Sequence, residues 1–94
     1  ANIVVVIPQI FRLFSQLLRI HFLPNKSAEA VASGLKVHPF VAKELLHASK
    51  QFDPRKIAAN IAVLQEYDLK AKGVGNSSAS HAELMRELIF RMLH

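Results

Sequence analysis

From Ile3 onward the chain is apolar at nearly every position except a narrow set: Gln9, Arg12, Ser15, Gln16 and Arg19. At 100° per residue, Ile3, Ile7, Ile10, Phe11, Phe14, Leu17 and Leu18 share one broad face, with Leu13 and Ile20 beside it, and the polar residues fall opposite. This spacing predicts a helix from Ile3 to about Phe22, with Asn2 able to cap its start. The run Ile3-Val4-Val5-Val6-Ile7 has strand propensity, but no other segment offers a strand to pair with it. Pro8 is compatible with the helix only inside its first turn. A helix apolar over most of its circumference needs more than one covering neighbour, so it is either the central helix of the bundle or one that has lost a partner lying upstream, and the chain is expected to be part of a longer protein.

Punctuation then divides the remainder into four shorter helices. Pro24-Asn25-Lys26 breaks the chain, Ser27 caps a second helix running to about Ser33, and Gly34 ends it. A third begins at His38-Pro39, where proline's missing N–H costs nothing, and runs to about Gln51. Its inward residues are read as Val41, Leu45 and Ala48, with Phe52 just beyond, against a polar arc of Lys43, Glu44, His47, Lys50 and Gln51. Asp53-Pro54 opens a fourth helix to about Lys72, stopped by Gly73, with Ile57, Ile61 and Leu64 as its core line. The segment Gly73 to Ser78 is small and polar, the expected flexible loop. Ser80-His81-Ala82-Glu83 is a capping box for a last helix to about Leu93, with Leu84, Met85, Leu88, Ile89 and Met92 buried. Glu83/Arg86 and Glu87/Arg91 are placed to pair along it. The prediction is an all-α fold, a small bundle of about five helices forming one domain over residues 1–94.

Composition narrows the function more by exclusion than by suggestion. Ninety-four residues suffice for one small domain, and 51% hydrophobic content is high for that size, so some apolar surface is expected to serve a partner. With no cysteine there is no disulfide framework and no thiolate metal site, which fits a reducing, cytoplasmic setting. The net charge of +5 is spread along the chain rather than gathered in a basic tail. The first helix is long enough for a membrane, yet Arg12 and Arg19 lie inside it, each costing roughly 2.5–3.5 kcal/mol near mid-bilayer, so no membrane role is expected.

Candidate chemistry is equally sparse. His21, His38, His47, His81 and His94 form no helical i,i+4 ligand pair, so no metal site is expected; His38 reads as a helix entry residue and His21 as a hydrogen-bonded structural histidine. Gly73-Val74-Gly75 lacks the strand and the Gly-Lys-Ser/Thr of a phosphate loop. Asp68 with Lys72 one turn on is a local ion pair. No nucleophile–base arrangement or carboxylate pair is present, so no catalytic residue and no cofactor is assigned.

Two binding readings have particular residues to carry them, beside a generic helical adaptor with a partner of some other kind. The segment from Ala28 to Lys50 has helix-turn-helix lengths, with Lys43, His47 and Lys50 as the residues that would read DNA. Against it, the first turn of that recognition helix offers Pro39, Phe40 and Val41 where polar base contacts are needed. The other reading is a subunit interface. Val63 and Tyr67 lie on the flank of the fourth helix away from its core line, and Phe90 sits nearly opposite the buried stripe of the last helix. Burial of both flanks inside the bundle is the competing account of the same residues.

The run Leu35-Lys36-Val37-His38-Pro39-Phe40-Val41-Ala42-Lys43-Glu44-Leu45-Leu46 resembles the delta subunit of the bacterial DNA polymerase III clamp loader. That family carries a Leu-Gly-hydrophobic-His-Pro-Phe-hydrophobic-Ala-Lys run in its last domain, and His38, Pro39 and Phe40 are its specific part here. The likeness continues through Ala48 to Asp53, Tyr67 to Gly73 and Glu87 to His94. Lys36 stands where the family has glycine, so the turn before the third helix is where a difference is expected. The resemblance implies a helical collar domain, non-catalytic, that packs against the gamma/tau and delta-prime type collar domains of the other clamp-loader subunits. It also implies that the sliding clamp is gripped only by upstream parts of the protein, and that DNA is met indirectly within the complex.

Overall fold

The computed structural model describes residues 2–74 and 79–94; the loop expected over Gly73 to Ser78 falls mostly outside them. The described residues form five helices and no strand: α1 (Ile3–His21), α2 (Ala28–Leu35), α3 (Pro39–Ser49), α4 (Pro54–Ala71) and α5 (His81–Leu93). The fold class is the all-α one that the periodicity predicts. Two compact units are distinguished, Leu13–Ala58 and the pair of segments Ala1–Arg12 and Ala59–His94.

The unit Leu13–Ala58 is built on the last turns of α1, on α2 and α3, and on the start of α4. Phe14, Leu17, Ile20, Val31, Leu35, Ala42, Leu45 and Ile57 make its core, and Phe14 meets Phe52 edge to face at 5.4 Å. Val41, read as an inward residue, is exposed; Ala42 takes the buried position one residue on. A helix has room for one narrow stripe against its neighbours, and here it passes through Ala42, Leu45 and Ser49. The polar arc from Lys43 to Gln51 is exposed as expected.

Arg19 and His21 at the end of α1 bond to carbonyls at the C-terminal ends of the two helices that follow. Arg19 Nη2 donates to the Gly34 carbonyl of α2 at 2.9 Å. His21 Nε2 lies 2.9 Å from the carbonyls of both Ser49 and Phe52. Both partners are acceptors, so this nitrogen carries the proton and the ring ties the end of α3 to α1. Ser49, buried beside it, sends its own hydroxyl to the Leu46 carbonyl.

Gly34 does not stop α2. The helix runs one residue further because Leu35 is buried, and the residue that must turn is then Lys36, which adopts φ 57°, ψ 48°. The Val37 amide reaches back to the Ala32 carbonyl, closing the turn as a left-handed cap. Lys36 therefore occupies the conformation that glycine, the residue found here in the family this run resembles, takes without a Cβ penalty. Lys36→Gly is expected to stabilise the fold by about 0.5–1 kcal/mol, the left-handed strain relieved less the added freedom of the unfolded chain. Chemical denaturation checks this, and a loss of stability would show that the lysine side chain contributes more than its backbone costs.

The second unit holds the first turns of α1, most of α4, and α5. Asn2 caps α1 through its side chain, accepting from the Val4 amide at 2.9 Å. The helix begins so early that Pro8 falls in its second turn rather than its first, where it removes the amide that would bond the Val4 carbonyl. The core is Ile3, Ile7, Leu64, Tyr67, Leu84 and Leu88 together with one polar residue, Asn60. The buried line of α4 is thus Ile57, Asn60, Leu64 and Tyr67, not Ile57, Ile61 and Leu64. Ile61 is only half-buried. On α5, Ile89 is exposed although it was placed in the buried stripe, and Met85 and Met92 are half-buried. Gly73 ends α4 as expected, at φ 85°, with the Val74 amide returning to Leu69. The capping box of α5 is complete: Ser80 Oγ accepts from the Glu83 amide and Glu83 accepts from the Ser80 amide, both at 3.2 Å. The bond from the Ser80 amide, and then the Ser80 hydroxyl, hold the Glu83 carboxyl below its ordinary pKa.

Candidate functional site

The three residues singled out as an interface separate once the helices pack. Tyr67 is only 2% exposed: its ring belongs to the core line of α4. Val63 is half-buried on the flank of the same helix. Phe90 is 62% exposed on α5. Placing Tyr67 on the outer flank rested on the core line passing through Ile61; with Asn60 as the inward residue, the stripe turns toward Tyr67 and away from Ile61.

What surrounds Tyr67 is a charged frame. Glu66 accepts from Arg91 of α5 at 2.7 Å and pairs with Lys70 at 3.0 Å. Both cations lie over the Tyr67 ring, Lys70 Nζ at 4.6 Å and Arg91 Cζ at 5.6 Å from its centroid. Arg91 is thus bound to α4, not to Glu87 along its own helix, and Glu83, expected to pair with Arg86, is bound in the capping box. The hydrogen bonds of Arg91 and then Lys70 hold the Glu66 carboxyl below its ordinary pKa, against a smaller opposing effect of burial. Its folded pKa being depressed, the stabilisation is present above the unfolded value and fades as pH falls through the folded one. The expected Asp68–Lys72 pair is present at 2.9 Å.

Outside this frame lies a groove of about 350 Å³ lined by Tyr67, Arg86, Glu87, Phe90 and Arg91. Phe90 is held over it by stacking on His94, centroids 4.2 Å apart, while His94 Nδ1 lies 2.8 Å from the Phe90 carbonyl. Ile89 and Leu93 are exposed beside it, Leu93 by 72%. Arg86, Ile89, Phe90 and Leu93 follow an i, i+3, i+4, i+7 spacing, so α5 carries a second ridge on the side away from Leu84 and Leu88. Ile89 and Leu93 were missed as surface residues because periodicity shows that a helix is apolar on two sides without showing which side the chain itself covers.

The run containing His38, Pro39 and Phe40 sits in the other unit. Leu35 is buried, Lys36 makes the left-handed turn, and His38 Nδ1 accepts from the Phe40 amide at 3.0 Å as the N-cap of α3, with Pro39 in the first turn. Each thus has a role inside the fold, whereas Phe40 is 65% exposed. The helix–turn–helix shape of α2 and α3 is present, and the first turn of α3 offers Phe40 and Val41 to solvent, not polar side chains.

Four histidines are engaged with backbone. Besides His21, His38 and His94, His81 Nε2 lies 3.1 Å from the Ala71 carbonyl. Among the described residues no three His, Asp or Glu side chains gather as metal ligands.

The model of the family described as DNA polymerase III delta subunit, C-terminal domain, matches residues 1–90. The chain belongs to that family. Comparisons with curated proteins and with solved structures returned no match. Membership in the delta C-terminal domain family makes this a clamp-loader-related domain of DNA replication, in agreement with the resemblance carried by His38-Pro39-Phe40. The delta family match extends across both compact units and includes the groove of α4 and α5 up to Phe90.

Proposed function

We propose that the chain is a non-catalytic assembly module, the collar part of a clamp-loader delta subunit, and that it joins the other clamp-loader subunits through the outer face of α5. The observation that carries the reading is the exposed ridge of Ile89, Phe90 and Leu93, three large apolar side chains adjoining a groove, in a chain whose family acts within a multisubunit complex. Large side chains left in water gain most when a second surface removes that area. Phe90 is the contact residue, Tyr67 lines the groove that adjoins it, and Val63 lies on the α4 flank. The partners are the gamma/tau and delta-prime type collar domains. The sliding clamp and DNA are engaged by other parts of the assembly, in the cytoplasm.

Mixing the chain with the remaining clamp-loader subunits and following mass by size-exclusion chromatography with light scattering tests this. A co-eluting complex is expected, weakened about tenfold or more by Phe90→Ala, whose melting temperature stays near that of the parent chain. If the wild-type chain elutes alone, the assembly reading fails. Salt-dependent duplex-DNA binding through Lys43, His47 and Lys50 becomes the next measurement.

A further inference from the structure

The first turns of α1 are helical against the preference of their own residues. Ile3, Val4, Val5, Val6 and Ile7 are all β-branched, side chains that lose rotamer freedom in a helix and sit most readily in extended chain. Pro8 follows in the second turn, where it withholds the amide that would bond the Val4 carbonyl and presses its ring toward that oxygen. A cleft of about 220 Å³ lies here between Ile7, Pro8 and Phe11 of α1 and Leu64 of α4, so this side of α1 is not in full contact with its neighbour. Two side chains hold the segment down. Ile3 is fully buried and Ile7 nearly so, in a unit whose other members come from α4 and α5, while Val4 and Val6 are half-buried and Val5 is exposed. Asn2 adds a local hold: its side chain accepts from the Val4 amide, and its carbonyl from the amides of Val5 and Val6.

The same residues fit a second, shorter helix. If α1 began at Pro8, the proline would take the first helical position, where its missing N–H costs nothing and its fixed φ is already helical. The clash with Val4 would be gone, and the β-branched run would return to the extended conformations it favours. We infer that residues 2–7 form a strap with an opening equilibrium of its own, closed in this structure, whose hinge is Pro8 and whose release uncovers the part of the α4–α5 core that Ile3 and Ile7 cover. Closure rests on the burial of two side chains and opening on local conformational preference. The strap therefore opens at a smaller cost than unfolding of the unit that holds it.

Native-state hydrogen exchange of the whole chain, read residue by residue, tests this. In the shorter helix the amides of Gln9, Ile10 and Phe11 have no acceptor one turn back, whereas the Arg12 amide keeps the Pro8 carbonyl. Val6, Ile7, Gln9, Ile10 and Phe11 are therefore expected to show one common protection, with a step of about tenfold or more between Phe11 and Arg12. Pro8→Ala restores the missing amide and removes the ring, and is expected to slow exchange of this group about tenfold or more relative to Leu17 and Ile20. Ile3→Ala removes one anchor and is expected to speed the same group by about tenfold or more while Leu17 and Ile20 move less. Protection that rises smoothly along α1, as in ordinary fraying of a helix end, would overturn the strap. So would a step that Pro8→Ala leaves unchanged, or an Ile3→Ala chain in which all these amides speed up together.

Discussion

Asn60→Asp is expected to leave stability near that of the parent at pH 4 and to lose up to about 4 kcal/mol by pH 7, the limit set by roughly 1.36 kcal/mol for each pH unit above an unfolded value near 3.9. Asn60 is 1% exposed in the core of the α4/α5 unit. Its Nδ2 donates to the Met92 carbonyl at 3.3 Å, satisfying one of the last carbonyls of α5, while its Oδ1 has no partner. A protonated carboxyl can still donate to Met92. An ionised one cannot, and it would meet a carbonyl oxygen in a dry site. The sign follows from proton counting. Burial raises the folded pKa of the new carboxyl, so between the unfolded and folded values the folded state holds the extra proton, and stability falls as pH rises. Since a domain of this size has only about 5–14 kcal/mol in total, urea titrations at pH 4, 5, 6 and 7 resolve the effect. A midpoint that tracks the parent across this range would mean the last turn of α5 opens to let water reach position 60.

Tyr67→Ala is expected to cost about 3–5 kcal/mol of folding stability, whereas Phe90→Ala costs under about 1 kcal/mol. The first removes a core ring and the surface on which Lys70 and Arg91 rest. The second shortens a side chain already in water. The contrast separates two ways of losing a complex. A chain with Tyr67→Ala that fails to join other subunits would be failing to fold, and its denaturation midpoint would say so. If Tyr67→Ala instead melts like the parent and assembles poorly, the ring is reachable by a partner and the burial seen here is not that of the working state.

These two residues also mark where reading the sequence stopped short. Asn60 was overlooked because a polar residue on a helix is ordinarily assigned to solvent, so the core line was drawn through Ile61, its apolar neighbour. One residue's displacement rotated the inferred stripe of α4, which put Tyr67 outside. Val41 exchanged places with Ala42 for the same reason: an alanine gives a weak apolar signal although its small size suits a close helix contact.

Features decided within four or five residues of the backbone were legible from the sequence alone. The five helices, the Asn2 and Ser27 caps, His38-Pro39 and Asp53-Pro54 as helix starts, the Gly73 stop and the Ser80–Glu83 capping box all rest on local bonds whose geometry depends on residue type and spacing. The family resemblance was legible for a related reason, since Leu35 to Phe40 is a contiguous run whose turn and cap are local. Tertiary structure alone decided which of two apolar faces each helix buries, that Arg91 crosses to Glu66, that His21 closes the end of α3, and that Ile89, Phe90 and Leu93 stay in water. Periodicity gives the direction of a helix's apolar side, but whether another helix lies there depends on contacts between residues far apart in the chain, and no local pattern encodes those.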